Sequence, residues 1–145
     1  MHVITGGSYN GKSAWVKTHY QLDKQRSFRW ISAYRGNKCP QVMDVNDDIL
    51  ILSGVELWVQ QLLKTSDFAA IREVGTNMIE EWLKWEQQSL IRHLVVIGSD
   101  ISKGIVPLER EMREYRDAAG WFFQDLVVNC SRFDLLWYGI ARRMK

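Results

Sequence analysis

Residues Gly6-Gly7-Ser8-Tyr9-Asn10-Gly11-Lys12-Ser13 carry the spacing G-x-x-x-x-G-K-[ST]. That spacing suits the gripping of a polyphosphate. A phosphate chain needs a concave ring of donors, and Gly6 and Gly11 let the backbone wrap so that successive N–H groups point inward. Lys12 would reach the outer phosphates as a point charge, and the Ser13 hydroxyl would join the shell of a magnesium ion. The pattern becomes a mechanism only between a strand and a helix. Here the apolar run His2 to Thr5 stops at the double glycine, and Ser13 to Tyr20 carries Trp15, Thr18 and His19 at helical spacing. The helix opening near Lys12 would add its unsatisfied N–H groups and positive dipole end. These residues predict a P-loop that binds ATP or GTP with Mg. No N-K-x-D motif chooses between the two bases.

A magnesium-nucleotide site also wants a carboxylate nearby. The apolar run Ile49 to Leu52 ends in Ser53-Gly54, with Glu56 one turn later, whereas the run Leu94 to Ile97 leads to Asp100. A parallel sheet would set Asp100 on the same C-terminal edge as the P-loop. Asp100 is therefore the first choice to hold the metal's water shell or orient an acceptor, and Glu56 the second; an ordinary loop or cap acid is the alternative for both. Lys103, between Ser102 and Gly104, either meets a phosphate or is a plain loop lysine. His2, His19 and His93 show no ligand spacing.

The elements that would position these groups read as strand and helix in alternation. Phe28 to Ala33 is a second strand, and Tyr34 to Asn46, with Gly36 and Pro40, a surface loop. Ile49 to Leu52 is a continuous apolar run, the kind a strand buried on both faces requires. Val55, Trp58, Val59 and Leu62 keep a helical period, as do Ile71, Gly75, Met78, Trp82 and Trp85 within Phe68 to about Leu90. Pro107 suits an early helical position, and the helix after it would place Leu108, Met112, Tyr115, Ala119, Phe122 and Leu126 on one face. Asp134 to Tyr138 would be the last strand, ended by Gly139. The order β-α-β-β-α-α-β-α-β predicts an α/β fold, a P-loop NTPase-like, mostly parallel sheet flanked by helices.

With 145 residues the chain fits a single nucleotide-binding domain, residues 1–145. Its 19 basic and 17 acidic side chains nearly cancel, which argues against nucleic acid as a partner. No stretch approaches the roughly 20 apolar residues of a membrane span. Two cysteines without Cys-x-x-Cys spacing suggest neither a disulfide framework nor a zinc cluster, and fit a reducing, cytoplasmic location.

The chain resembles the adenosylcobinamide kinase/adenosylcobinamide-phosphate guanylyltransferase family of cobalamin biosynthesis. The likeness runs from Val3-Ile4-Thr5-Gly6-Gly7 to Lys12-Ser13, through Gly104-Ile105-Val106-Pro107, Arg116-Asp117 with Gly120, and Gln124, to Trp137-Tyr138 and Gly139. It implies a P-loop parallel sheet, an NTP-dependent kinase acting on a corrinoid-like alcohol, and a homo-oligomer, trimer or hexamer. Four departures are visible. The family's histidine-bearing segment, which takes the nucleotidyl group covalently, is matched by Tyr34 to Asn46, which has no imidazole nucleophile. The family's strand-end glutamate is Ser53, and its asparagine-glutamate pair is Ser99-Asp100, a carboxylate shorter by about 1.5 Å. Its asparagine before Gln124 is Phe123. The first expectation is thus a kinase for adenosylcobinamide without the guanylyltransferase half. The alternatives are a degenerate nucleotide-binding regulatory protein and a small P-loop NTPase or kinase with an unrelated substrate.

Overall fold

In the computed structural model, which describes residues 1–24 and 27–145, six strands form one sheet. In chain order the elements are β1 (His2–Gly6), α1 (Lys12–His19), β2 (Phe28–Ser32), β3 (Ile49–Ser53), α2 (Val55–Leu62), α3 (Ile71–Gln87), β4 (His93–Ile97), α4 (Arg110–Asn129), β5 (Arg132–Trp137) and β6 (Ile140–Arg143). The sheet order is β2-β3-β4-β1-β5-β6, parallel throughout except for the antiparallel pair β5 and β6.

This order places the site. From β1 the chain runs outward to β2 and returns strand by strand to β4, beside β1; from β4 it leaves the other way, to β5. The loops after β1 and β4 therefore diverge and leave a crevice between them, the place where open parallel sheets bind ligands. Right-handed crossovers running in opposite directions put their helices on opposite faces. Accordingly α1 covers one face, and α2, α3 and α4 cover the other.

The strands alternate between two cores. Val3, Leu50, Leu52, Leu94 and Val96 meet Trp58, Trp82, Trp85, Phe122 and Leu126 of the three-helix layer. Their neighbours Ile4, Ile49, Ile51, Val95 and Ile97 meet Val16 and Leu22. Burial on both faces is why Ile49 to Leu52 and Leu94 to Ile97 are unbroken apolar runs. The large Trp side chains carry much of this burial; truncating one such residue to alanine costs about 3–5 kcal/mol.

Four local expectations need correction. The helix after Pro107 begins only at Arg110, and Leu108 and Met112 are exposed. The carbonyls of Pro107 and Leu108 accept instead from the Arg113 guanidinium, and those of Ser102, Gly104 and Ile105 from Arg116, so this segment needs no helical partners. Gly139 does not end the sheet. Tyr138 and Gly139 both have positive φ, 48° and 81°, as a two-residue hairpin turn demands, and β6 returns along β5. In α1 the inward apolar residue is Val16; Thr18 and His19 face outward and Trp15 is half-buried. The segment from Tyr34 to Asn46 contains two 3-10 turns and is tied to the core. Val42 and Val45 are buried, and the indole N–H groups of Trp58 and Trp85 donate to the carbonyls of Asn37 and Val45, both at 2.8 Å.

Candidate functional site

The loop from Gly6 to Ser13 leaves the C-terminal end of β1 in the crevice and enters α1 through Gly11, whose φ of 80° is left-handed. Gly6 has φ 149°, and a Cβ there would lie 2.2 Å from the Leu136 carbonyl oxygen of β5. Only glycine lets the two backbones approach so closely. The terminal hairpin then pins the loop: Gly139 N–H donates to the Asn10 carbonyl at 3.0 Å, and the Asn10 side-chain amide donates to the Leu136 carbonyl at 3.4 Å. Ser8 and Tyr9 form the exposed rim, with Tyr9 at φ 58°.

Lys12 turns inward and is 8% exposed. Its ammonium donates to the carbonyls of Gly6 at 3.1 Å and Gly7 at 2.7 Å, and to the Ser99 hydroxyl at 3.1 Å. Three donors thus meet three acceptors, two at the end of β1 and one just beyond β4. Burial lowers the pKa of Lys12, and the Glu56 carboxylate pulls against that shift.

Glu56 sits in the first turn of α2 and is 2% exposed. One carboxylate oxygen accepts from the Tyr34 hydroxyl and the other from the Ser99 N–H at 3.1 Å. The Tyr34 and Ser99 hydroxyls are 3.0 Å apart, so a continuous hydrogen-bonded path runs from Lys12 through Ser99 and Tyr34 to Glu56. Tyr34 is held well above its ordinary pKa, first by burial and then by its bond to Glu56, and stays protonated. Its ring lies against Gly54, where a Cβ would sit 3.0 Å from it.

Asp100 stands beside the loop, its N–H donating to the Gly6 carbonyl at 3.1 Å. Burial alone would raise its pKa, but the hydroxyl and N–H of Ser102 and the Lys103 ammonium, 3.5 Å away, outweigh that and hold it below the usual value. Lys103 also lies 5.3 Å over the exposed Trp137 ring. The structure therefore draws Lys12 and Glu56 into one network and ties Asp100 to its own loop. Sequence reasoning passed over Tyr34, and saw Ser99 only as a family position. The sole signal for Tyr34 was its place directly after a strand on the C-terminal edge.

Two clefts open here. One, of about 580 Å³, is lined by Tyr9, Asn10, Gly11, Lys12, Ser13, Tyr34 and Ser99 among others. Its neighbour, of about 410 Å³, is lined by Ser13, Lys17, Phe28, Trp30, Tyr34, Arg35 and Ser53 among others. Ser13 and Tyr34 are walls of both. The three histidines lie elsewhere: His2 and His93 start their strands and His19 ends α1, all toward the opposite edge.

A mostly parallel sheet flanked by helices, with a glycine-bounded loop in its central crevice, has the build of an α/β nucleotide-binding fold. A family model described as cobinamide kinase / cobinamide phosphate guanyltransferase matches residues 16–144, and the chain belongs to that family. The match begins at Val16, inside α1, so the loop from Gly6 to Ser13 rests on its own sequence and geometry. No curated protein matches the chain. Among the described residues no helix is long and apolar enough to cross a membrane.

Proposed function

We propose that the protein is an NTP-dependent kinase that transfers a terminal phosphoryl group to the hydroxyl of an adenosylcobinamide-like alcohol. The observation that carries this reading is the buried Lys12 ammonium at the head of α1, held by the carbonyls of Gly6 and Gly7 and by Ser99 at the mouth of an open cleft. A triphosphate entering the cleft would offer Lys12 oxygen acceptors in place of these carbonyls. Gly7 to Gly11 and the first N–H groups of α1 would line its phosphates. Catalysis in such a site is mostly alignment and charge neutralisation.

The donor set fits a hard cation. The Ser13 hydroxyl and the Asp100 carboxylate are the oxygen ligands we assign to magnesium, which would neutralise charge on the transferred group. Both carboxylates accept hydrogen bonds, but the Asp100 side chain keeps 22% exposure beside the loop while Glu56 is 2% exposed between Tyr34 and Ser99, and we assign Glu56 to the Lys12 network instead. With each histidine at the far edge, no imidazole is placed to carry a nucleotidyl group, which supports kinase activity without guanylyl transfer.

The test is phosphate transfer from ATP and from GTP to cobinamide, with magnesium. Lys12→Ala is expected to lower transfer by about 100-fold while the fold persists, since a charge-assisted contact contributes up to about 3 kcal/mol. No transfer from either donor by the natural sequence would overturn the reading.

A second reading, a nucleotide-binding regulatory protein without turnover, is favoured by Phe123. Its ring lies where a Cβ on Gly98 would be 2.3 Å away, so an apolar group fills the place of a family asparagine. It predicts magnesium-dependent nucleotide binding in titration calorimetry with no product from cobinamide.

A further inference from the structure

We propose that the cleft walled by Phe28, Trp30 and Lys17 takes the acceptor alcohol, and that Tyr34 aligns the acceptor's hydroxyl for attack. This rests on the kinase reading above. The sequence offered no role for Tyr34, and the geometry supplies one.

The hydrogen-bond inventory of Tyr34 decides what its oxygen can still do. A phenol has one donor and two acceptor lone pairs. The donor is used on Glu56, a buried carboxylate that can only accept. Ser99 must then be the donor in its 3.0 Å contact with Tyr34, while its own oxygen accepts from Lys12. One lone pair of the Tyr34 oxygen remains, and the residue is 54% exposed where the two clefts meet. That lone pair can accept from a donor outside the protein, and the hydroxyl of an acceptor alcohol is such a donor.

The placement matches what transfer requires. Two hydrogen bonds, through Ser99, separate the Tyr34 oxygen from the Lys12 ammonium that would hold the outer phosphates. A reacting oxygen must come within about 3–3.5 Å of the phosphorus, in line with the leaving oxygen. An alcohol that donates its proton to Tyr34 keeps its own lone pairs for the phosphorus. In the step, the alcohol O–P bond forms, the bridging O–P bond to the nucleoside diphosphate breaks, and the hydroxyl proton passes to solvent.

The neighbouring cleft suits an alcohol on a large conjugated or amide-rich body. Trp30 offers a ring face, with its N–H committed to the Ser53 hydroxyl at 2.8 Å. Lys17 stands 5.8 Å over that ring, and Arg35 adds a second cation to the lining. A volume of about 410 Å³ admits the hydroxyl-bearing arm of such a molecule and leaves its body outside.

Tyr34→Phe removes the hydroxyl and keeps the ring on Gly54. In steady-state assays with cobinamide, its transfer kcat is expected to fall by about 100-fold, the cost of a misaligned acceptor. The ratio of phosphate transferred to cobinamide over phosphate released to water should fall with it. The Kd for magnesium-ATP, measured by calorimetry, should move by less than about 3-fold, since Lys12 and the loop N–H groups, not the Tyr34 hydroxyl, hold the phosphates. As the positioning residue behind Tyr34, Glu56 should show graded rescue: Glu56→Gln, which keeps an oxygen for the Tyr34 hydroxyl, retains more transfer than Glu56→Ala at comparable thermal stability. Wild-type transfer in Tyr34→Phe, or a fall in nucleotide affinity as large as the fall in kcat, overturns this assignment and leaves the kinase reading standing. Absence of transfer by the natural sequence overturns both.

Discussion

A methyl group at position 6 has no room. In Gly6→Ala the new Cβ would lie 2.2 Å from the Leu136 carbonyl oxygen and 3.2 Å from its carbon. Ordinary contact starts near 3.4 Å, so β1 and β5 would have to part by about 1.2 Å (3.4 minus 2.2) at the register pair Gly6 and Leu136. Both strands are fixed: β1 is flanked by β4 and β5, and β5 by β1 and β6. Parting them weakens one or two ladder hydrogen bonds, about 1 kcal/mol each. Alanine at φ 149° adds backbone strain of about 1–3 kcal/mol. Together the change should destabilise the fold by roughly 2–5 kcal/mol, a large share of the roughly 5–15 kcal/mol that holds a domain folded. Gly120→Ala is the matched control. Gly120 lies within α4, and a methyl group there would have no heavy atom within 4 Å, so alanine should stabilise by about 0.5–1 kcal/mol. Urea unfolding followed by tryptophan fluorescence reads both. An unchanged midpoint for Gly6→Ala, or equal losses for the two variants, would refute the close approach of β1 and β5.

Two further outcomes follow from buried titratable groups. His2 is bonded to Asp134 and to the Tyr20 hydroxyl, each at 2.7 Å, with Arg132 and His19 also facing it. Burial lowers its pKa to about 4 against 6.5, overriding the raising effect of Asp134. A depressed histidine pKa means the unfolded chain takes up the proton first, so this contribution is complete above pH 6.5 and is lost as pH falls toward 4. The loss is at most about 3 kcal/mol. Urea midpoints from pH 7 to pH 4 should fall more steeply for the natural sequence than for His2→Gln; parallel curves would disprove the linkage. Burial also pushes the Cys39 thiol up to about 12, and raises that of Cys130. With a disulfide reagent at pH 8, Cys39 should react at least about 100-fold more slowly folded than in urea, and Cys130 also more slowly; prompt reaction of both thiols in the native protein would contradict that burial.

The sheet and its three-helix layer were legible because each buried face repeats along its own element. Val55, Trp58 and Val59, and Ile71, Met78, Trp82 and Trp85, all face the core as their spacing foretold. The loop was legible because its glycines and lysine are consecutive. Where partners lie far apart in sequence the reading ran out. Nothing near Glu56 shows that its carboxylate reaches the N–H of Ser99, 43 residues on, or that Tyr34 lies between. The late start of α4 depends on Arg116 reaching back to Gly104, a contact no periodicity reports. The hairpin carried a signal, Tyr138-Gly139 before a second short run, but a glycine after a strand marks an end as readily as a turn.

The carboxylates at this edge of the sheet cannot be considered one at a time. Ser53 stands where the resemblance implies a glutamate, and its hydroxyl accepts from the Trp30 indole. Three residues later Glu56 brings a carboxylate to the same end of β3 from the first turn of α2, buried against Ser99. A glutamate at 53 as well would add a second carboxylate at the same end of β3, and like charges in a partly dry site disfavour each other's ionisation. Serine at 53 removes that conflict and gives the Trp30 indole N–H its acceptor. Gly98 completes the arrangement: a side chain there would meet the Phe123 ring at 2.3 Å and the Glu56 carboxylate at 3.0 Å. The missing side chain at 98 thus leaves the room in which the Phe123 ring and the buried Glu56 carboxylate both sit, and that carboxylate orients the Tyr34 hydroxyl.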